Sequence, residues 1–264
     1  MATDLIPPKV PTFSFIGVTT ARSSIMKVFP AWMDHLGLQV PIVGVDCAWH
    51  DDPARYRDVV AFIKDHANAL GGLVTTHKID LLDAARDLFD ALGRYADLLG
   101  EVSSISKHDG ELRGHAKDPI TSGLALEAFL PAGHWQSDAT LCILGAGGSS
   151  LALTTYCMEQ QEIDRPKRIV ITDRTEQRIE SMRNVHAQIN PGIETDYHHC
   201  TAPEENDRVV NALPPGSVVV NATGLGKDAA GSPLTARATF PERGFAWEFN
   251  YRGDLLFLEQ ARSA

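Results

Sequence analysis

The residues with the clearest chemical potential form a glycine-rich turn in the second half of the sequence. Residues 141–144 have the pattern of a short apolar strand, which runs directly into the turn and then into a helix. Gly145 permits the tight turn, and Gly147 allows the backbone to approach a pyrophosphate that the positive helix end attracts. The sequence therefore predicts a dinucleotide site formed by Gly145, Ala146, Gly147, Gly148 and Ser149.

The residues after the next predicted strand bear on the choice between NAD and NADP. Asp173 ends that strand at about the spacing where an acidic residue binds the ribose 2′-hydroxyl of NAD. Arg174 and Arg178 lie four residues apart at a helix start, where they could clamp the 2′-phosphate of NADP. Both cofactors therefore stay open.

A lysine and an aspartate in the first half could exchange and orient a proton. Lys78 follows a buried strand, at the end of an α/β sheet where ligands usually bind. Asp118 lies between a predicted hairpin and a helix start. Taken singly, a surface lysine and a helix-capping aspartate are the ordinary interpretations of these residues.

The elements that must position these residues alternate between strand and helix. Strands are predicted at 13–19, 40–47, 71–75, 141–144, 168–172, 195–199, 218–221 and 247–250, with a hairpin at 102–115 around Asp109-Gly110. Helices are predicted at 25–36, 53–67, 80–99 (with Gly93 as a candidate break), 119–129, 149–160 and 176–188. This alternation is typical of an α/β fold with parallel strands and helices on both faces. Residues 131–138 have the composition of a linker between two such domains.

Composition narrows the classes of partner. The 264 residues carry a formal charge of −10, which disfavours nucleic acid and anionic membranes as partners. His198, His199 and Cys200 would alternate faces on a strand, so no metal site is expected there. The start of the sequence lacks the pattern of a signal peptide. We expect a reduced, cytoplasmic protein, monomer or homodimer, that binds a small molecule.

Taken together, these motifs resemble those of the shikimate/quinate dehydrogenase family. The order along the chain matches the family: Lys78, the segment 113–123 with Asp118, the glycine turn, Arg174-Thr175 and residues 221–226 (NATGLG). Glu248 and Tyr251 lie where the family has an aspartate and a tyrosine. The resemblance covers nearly the whole chain.

The resemblance implies an N-terminal α/β substrate domain and a Rossmann dinucleotide-binding domain, with the active site in the cleft between them. The substrate domain would comprise residues 1–120 and the C-terminal segment 252–264, and the Rossmann domain residues 121–251. Lys78 and Asp118 would form the catalytic pair. Substrate contacts are implied for Ser23, Thr75, Ser103 and Tyr251, and cofactor contacts for Asp173, Arg174, Thr175, Arg178, Asn221, Thr223 and Gly224.

The activity implied is NAD(P)-dependent interconversion of a ring secondary alcohol, in shikimate, quinate or a related hydroxy acid, and its ketone. Ile25 and Met26 stand where the family has a serine and a proline, and Ala116-Lys117 where it has asparagine and threonine. These changes affect specificity more than chemistry. Two alternatives remain: a dinucleotide-binding sensor or regulatory protein without turnover, and an enzyme similar to the folate methylene dehydrogenases.

Overall fold

The chain folds as two α/β units, in a computed structural model that describes residues 5–189, 192–226 and 229–264. Unit 1 ends at Lys117, and unit 2 begins at Asp118. Each unit has its own sheet and its own apolar core. Within the described residues, no helix is both long and apolar enough to cross a membrane.

Unit 1 is built on a mixed sheet. Its strands are β1 (Thr12–Gly17), β2 (Ile42–Asp46), β3 (Ala69–Val74), β4 (Ala91–Leu92), β5 (Ser104–His108) and β6 (Glu111–His115). Its helices are α1 (Ile25–Leu36), α2 (Pro53–Asp65), α3 (Lys78–Ala85) and α4 (Arg94–Leu99). The strands lie in the order β2-β1-β3-β5-β6-β4, with β1 parallel to β2 and β3. The carboxyl ends of these three strands therefore meet at one edge of the sheet.

Local sequence explains where several of these elements begin and end. Asp52 accepts a hydrogen bond from the Ala54 N–H, and a proline opens α2, which together make a favoured helix start. Helix α1 ends at Gly37, which has a left-handed φ of 67°. Asp109 and Gly110 also have positive φ angles, and they join the antiparallel strands β5 and β6. The predicted hairpin is therefore confirmed.

The segment predicted as one helix over residues 80–99 is divided in the structure. Helix α3 ends at Ala85, strand β4 pairs in parallel with β6, and α4 begins at Arg94. At the junction, Gly93 has an extended backbone and donates its N–H to the Gly114 carbonyl (2.8 Å). A continuous helix was the wrong prediction because pairing with β6 outweighs the local helical pattern, and the candidate break at Gly93 is where α4 starts.

Unit 2 is built on a parallel sheet. Its strands are β7 (Leu141–Leu144), β8 (Arg168–Asp173), β9 (Glu194–His199), β10 (Val218–Asn221) and β11 (Phe245–Glu248). Its helices are α5 (Asp118–Phe129), α6 (Gly148–Glu159), α7 (Glu176–Ile189), α8 (Pro203–Asn211) and α9 (Leu256–Ser263). The strand order is β11-β10-β7-β8-β9, and each neighbouring pair is parallel.

The centre of this sheet explains the apolar runs in the sequence. Strands β7 and β10 are buried at every residue. One face of the sheet packs with Leu153 of α6, and the other packs with Val210 of α8 and Phe257 of α9. After β7 the chain proceeds to β8 on one side and returns to β10 on the other, which creates a switch point above the carboxyl end of β7. Ligands of open α/β sheets bind at such a point.

Two expected boundaries differ from the packing observed. Residues 131–138, interpreted as an interdomain linker, lie within unit 2, and Trp135 is buried in its core. The C-terminal segment, expected to join the first domain, packs with unit 2. Phe257 is buried against Cys142 and Val219, and Gln260 accepts a hydrogen bond from the Ser232 hydroxyl (2.6 Å). The apolar face of α9 determines this packing, and the sequence motifs give no information about which unit that face contacts.

A buried histidine couples the stability of unit 2 to pH. The ring nitrogens of His186 on α7 form hydrogen bonds with the hydroxyls of Thr154 (2.7 Å) and Tyr197 (2.6 Å). Burial lowers the pKa of His186 from 6.5 to about 4. Between these two values the unfolded chain binds the proton and the folded chain does not. The free energy of unfolding should therefore fall by roughly 3 kcal/mol as pH decreases through this window.

Replacement of His186 by glutamine should flatten that part of the pH dependence, because glutamine does not titrate. The measurement is the free energy of unfolding from denaturant titrations at a series of pH values. His198→Gln is the matched control, since His198 is exposed on β9 of the same unit. A slope unchanged from wild type in the His186 variant would contradict the assignment.

Candidate active site

Lys78 is placed by the turn that joins β3 to α3. It is the first residue of α3, and Thr76 within the turn has a φ of 60°, which is unusual for a β-branched residue. The adjacent His77 is buried, and its Nδ1 lies 3.0 Å from the Tyr56 hydroxyl on α2. This buried contact holds the turn. Lys78 consequently emerges at the carboxyl ends of the parallel strands of unit 1.

Three of the predicted residues are brought together in unit 1. The Val74 N–H donates to the Ser103 carbonyl (2.9 Å), and the Val102 N–H donates to the Lys78 carbonyl (3.0 Å). Thr75 is exposed beside them. The segment before β5 therefore lies directly against the turn that carries Lys78.

The predicted substrate contacts of unit 1 have unequal access to a ligand. The Ser103 side chain is buried, and its hydroxyl accepts the Lys117 N–H (2.8 Å), so this serine braces the backbone. Ser23 is half-buried and follows a single helical turn at Thr20–Arg22. Thr75 is the most open of the three, which makes its hydroxyl the one best placed to meet a ligand.

The sequence analysis did not identify Glu101, an acidic residue that lies beside Lys78. Glu101 is buried, and its Oε1 lies 4.0 Å from the Lys78 Nζ. The available signal was an acidic residue between Gly100 and Val102, immediately before a predicted strand. A charged residue in that setting needs a partner.

The glycine turn of unit 2 has the geometry that a pyrophosphate site requires. Gly145 has a φ of 105°, and a Cβ there would lie 3.0 Å from the Ala222 carbonyl oxygen. Gly147 faces open space, with nothing within 4 Å of a Cβ placed on it. Helix α6 begins at the next residue, and its first backbone N–H groups have no acceptor within the helix. The turn thus offers room and hydrogen-bond donors to an anion.

The side chain of Asp173 holds the glycine turn in place. Its Oδ2 accepts the Ala146 N–H (2.7 Å), and its Oδ1 accepts the Thr175 N–H (2.7 Å). The carboxylate is buried, and both oxygens are engaged with the backbone. Arg174 and Arg178 lie beside it with exposed side chains. The structure therefore separates the acidic residue, which shapes the turn, from the two arginines, which face solvent.

A network of side chains shapes the loop after β10. Asn221 is fully buried; its Nδ2 donates to Glu248 Oε2 (2.7 Å), and its Oδ1 accepts the Thr223 hydroxyl (2.7 Å). The Asn250 amide donates to the carbonyls of Thr223 (3.2 Å) and Leu225 (2.9 Å). Burial raises the pKa of Glu248, and the hydrogen bonds from Asn250 and Asn221 oppose that rise. Asn221 therefore positions the loop rather than presenting its own amide.

A cavity of about 330 Å³ in unit 2 collects several of the predicted residues. Its lining residues come from α5, α6 and β11: Asp118, Thr121, Ser122, Ser149, Ala152, Trp247, Glu248 and Phe249. The cavity therefore joins Asp118 to the first turn of α6, which follows the glycine turn. Tyr251 is 77% exposed and lies beyond β11. A larger groove of about 600 Å³ runs between β9 and α8, and neither Asp118 nor the glycine turn lines it.

The fold and the glycine turn define an α/β protein with a Rossmann-type unit. No protein-family model matches the chain. A curated shikimate dehydrogenase (NADP(+)) of Streptococcus thermophilus is 28% identical over 154 residues, which are 58% of this chain and 50% of that protein. The chain spans about half the length of several such curated relatives.

Solved structures match over a larger part of the chain. The shikimate 5-dehydrogenase of Listeria monocytogenes, in complex with shikimate and NAD, gives a TM-score of 0.74 at 22% identity, covering 99% of this chain and 86% of that one. The quinate dehydrogenase of Corynebacterium glutamicum, in complex with NAD, gives 0.73 at 17% identity, covering 96% and 85%. The chain is therefore similar in sequence to curated shikimate dehydrogenases, and it shares its fold with solved shikimate and quinate dehydrogenases.

Proposed function

We propose that this protein is an NAD(P)-dependent oxidoreductase that interconverts a ring secondary alcohol and its ketone. The observation that carries the proposal is the cavity of unit 2, where Asp118 and Ser149 line one space next to an open glycine turn. Relatives named shikimate dehydrogenase, and solved structures with shikimate and NAD or with NAD bound, support it.

The proposed roles follow from the chemistry of each side chain. When bound, the nicotinamide cofactor accepts or supplies the hydride. Lys78 takes the hydroxyl proton during oxidation and returns it during reduction, which is general acid–base catalysis by an amine. Its ammonium form also stabilises negative charge that develops on the oxygen. Asp118 accepts a hydrogen bond from the hydroxyl and orients it. Gly147 and the start of α6 receive the pyrophosphate.

The substrate is proposed as a ring hydroxy acid of the shikimate or quinate type. The test is a panel of cyclohexane and cyclohexene hydroxy acids, each assayed with NAD and with NADP for formation of reduced nicotinamide. Turnover with one member identifies substrate and cofactor together. Tight cofactor binding with no turnover across the panel would overturn the proposal in favour of a sensor without catalysis.

We further propose that NADP is the preferred cofactor. Both oxygens of Asp173 already accept backbone hydrogen bonds, so this carboxylate is poorly placed to bind the ribose 2′-hydroxyl of NAD. Arg174 and Arg178 are exposed at the start of α7, and a guanidinium pairs well with a phosphate. The arginines rather than the aspartate would therefore select the cofactor.

Replacement of Arg174 by alanine should weaken NADP binding while leaving NAD binding nearly unchanged. A charge-assisted hydrogen bond to phosphate contributes enough that we expect a rise of about tenfold to a hundredfold in the dissociation constant for NADP. The measurement is a fluorescence titration with each cofactor. Arg237→Ala is the matched control, since Arg237 is an exposed arginine elsewhere in unit 2. An equal loss for both cofactors would show that Arg174 does not read the 2′-phosphate.

A further inference from the structure

The backbone of unit 1 holds a buried carboxylate beside Lys78. Gly100 ends α4 in the left-handed conformation, and Glu101 then donates its N–H to the Ala96 carbonyl (3.2 Å). The next residue, Val102, is fully buried and donates its N–H to the carbonyl of Lys78 (3.0 Å). The hydrogen bonds from the Glu101 and Val102 N–H groups therefore fix the backbone at Glu101, in addition to the contacts of its side chain.

The side chains of Glu101 and Lys78 form a half-enclosed pair. Glu101 Oε1 lies 4.0 Å from Lys78 Nζ, and the two side chains are 11% and 23% exposed. Transfer of a carboxylate out of water is costly unless a cation or hydrogen-bond donors lie close to it. At such low exposure the attraction between the two groups is only weakly screened by solvent.

Other charged groups near the start of α3 have different partners. Asp80 on α3 pairs with His50 (2.9 Å), and the buried His77 ring contacts the Tyr56 hydroxyl on α2. Glu101 forms an ion pair with Lys78 within unit 1.

We propose that Glu101 is a positioning residue that acts through Lys78. The carboxylate holds the amine in one place, because the attraction between opposite charges persists where solvent screening is weak. In the ketone-reducing direction the ammonium donates the proton, so its position decides whether the proton reaches the carbonyl oxygen. This inference rests on the proposed function, since it takes Lys78 as the group that exchanges the proton.

The experiment compares Glu101→Gln with wild type in two independent readouts. The first is the rate at which acetic anhydride acetylates Lys78 at a fixed pH, measured by peptide mass spectrometry relative to Lys167 of unit 2. Loss of the carboxylate should raise that rate severalfold, because the amine is then no longer held beside Glu101 and reaches the reagent more freely. The second is steady-state kinetics, in which kcat for ketone reduction should fall while KM for NADPH stays unchanged.

The matched control is Glu111→Gln. Glu111 is exposed on β6 and pairs with Arg113 (2.6 Å), so its loss removes a carboxylate from the same unit without touching Lys78. Lys78 acetylation should then equal that of wild type. Glu101→Asp keeps the charge but moves it away by one methylene. Its Lys78 acetylation rate should lie between those of wild type and Glu101→Gln.

Labelling of Lys78 at the wild-type rate in folded Glu101→Gln would overturn the proposal, even with reduced kcat. If circular dichroism shows that Glu101→Gln does not fold, the test uses Glu101→Asp instead. A Lys78 acetylation rate in that variant equal to the wild-type rate would then overturn the proposal. The labelling needs neither substrate nor cofactor. A failure of the proposed function in the substrate panel is therefore distinguishable from a failure of this inference.

Discussion

Replacement of Lys78 by alanine is expected to lower kcat by about 10²–10⁴-fold, the usual contribution of a positioned general acid or base. Cofactor binding should persist, because the glycine turn is held by contacts within unit 2, such as the bond from the Ala146 N–H to Asp173. The measurements are steady-state turnover on the identified substrate and a fluorescence titration with the cofactor.

The matched control for this variant is Lys9→Ala, which removes an exposed lysine at the start of unit 1. Its turnover should equal that of wild type. Thermal unfolding of both variants tests whether the loss is chemical, since removal of Lys78 also takes the ion pair away from the buried Glu101 carboxylate. Near-normal turnover in a folded Lys78→Ala variant would contradict the assignment of Lys78 as the group that exchanges the proton.

Replacement of Gly145 by alanine is expected to destabilise unit 2 by about 2–4 kcal/mol, from backbone strain together with a steric clash. The φ of 105° is one that residues with a side chain rarely adopt, and the added Cβ would lie 3.0 Å from the Ala222 carbonyl oxygen. That contact joins the turn after β7 to the loop after β10, so the two loops must separate. Denaturant titration of the free energy of unfolding provides the measurement.

Gly147→Ala makes the same chemical change two residues further along with a different expected result. Nothing lies within 4 Å of its Cβ, and its φ of −89° suits any residue. Stability should stay within about 1 kcal/mol of wild type, whereas cofactor affinity should fall because the methyl group occupies the space offered to the pyrophosphate. If Gly147→Ala bound the cofactor as wild type does, the pyrophosphate site would have to lie elsewhere.

Local sequence predicts most elements of unit 2 because its central strands β7, β8 and β10 are buried on both faces. Residues such as Ile143 and Val219 belong to continuous apolar runs, and glycine and polar segments separate those runs from the helices. In unit 1 the prediction fails at residues 80–99. Strand β4 comprises only Ala91 and Leu92, and a strand of two residues is too short to show the alternation of apolar and polar residues that predicts a strand.

The candidate site shows the same division between local and long-range information. The residue type at Gly145 indicates its role directly, because few positions require a residue without a side chain. Lys78 and Asp118 taken singly also fit structural roles, so their proposed roles come from the order of the motifs along the chain. The engagement of Asp173 with the Ala146 amide links residues 27 positions apart, so sequence could not choose between ribose binding and a structural role. Glu101 lies 23 positions after Lys78 in the sequence, and no spacing rule connects the two residues.

The sequence by itself determined the α/β class and the glycine turn and indicated candidate residues for proton exchange, because these depend on residue type and on neighbours within a few positions. Only the tertiary structure decided which polar side chains face a ligand and which are engaged with the backbone. It placed the Ser103 hydroxyl on the Lys117 amide, Asp173 on the glycine turn, and Glu101 beside Lys78. The physical reason is that a buried polar group takes the partner that folding brings near, and that partner is distant in the sequence.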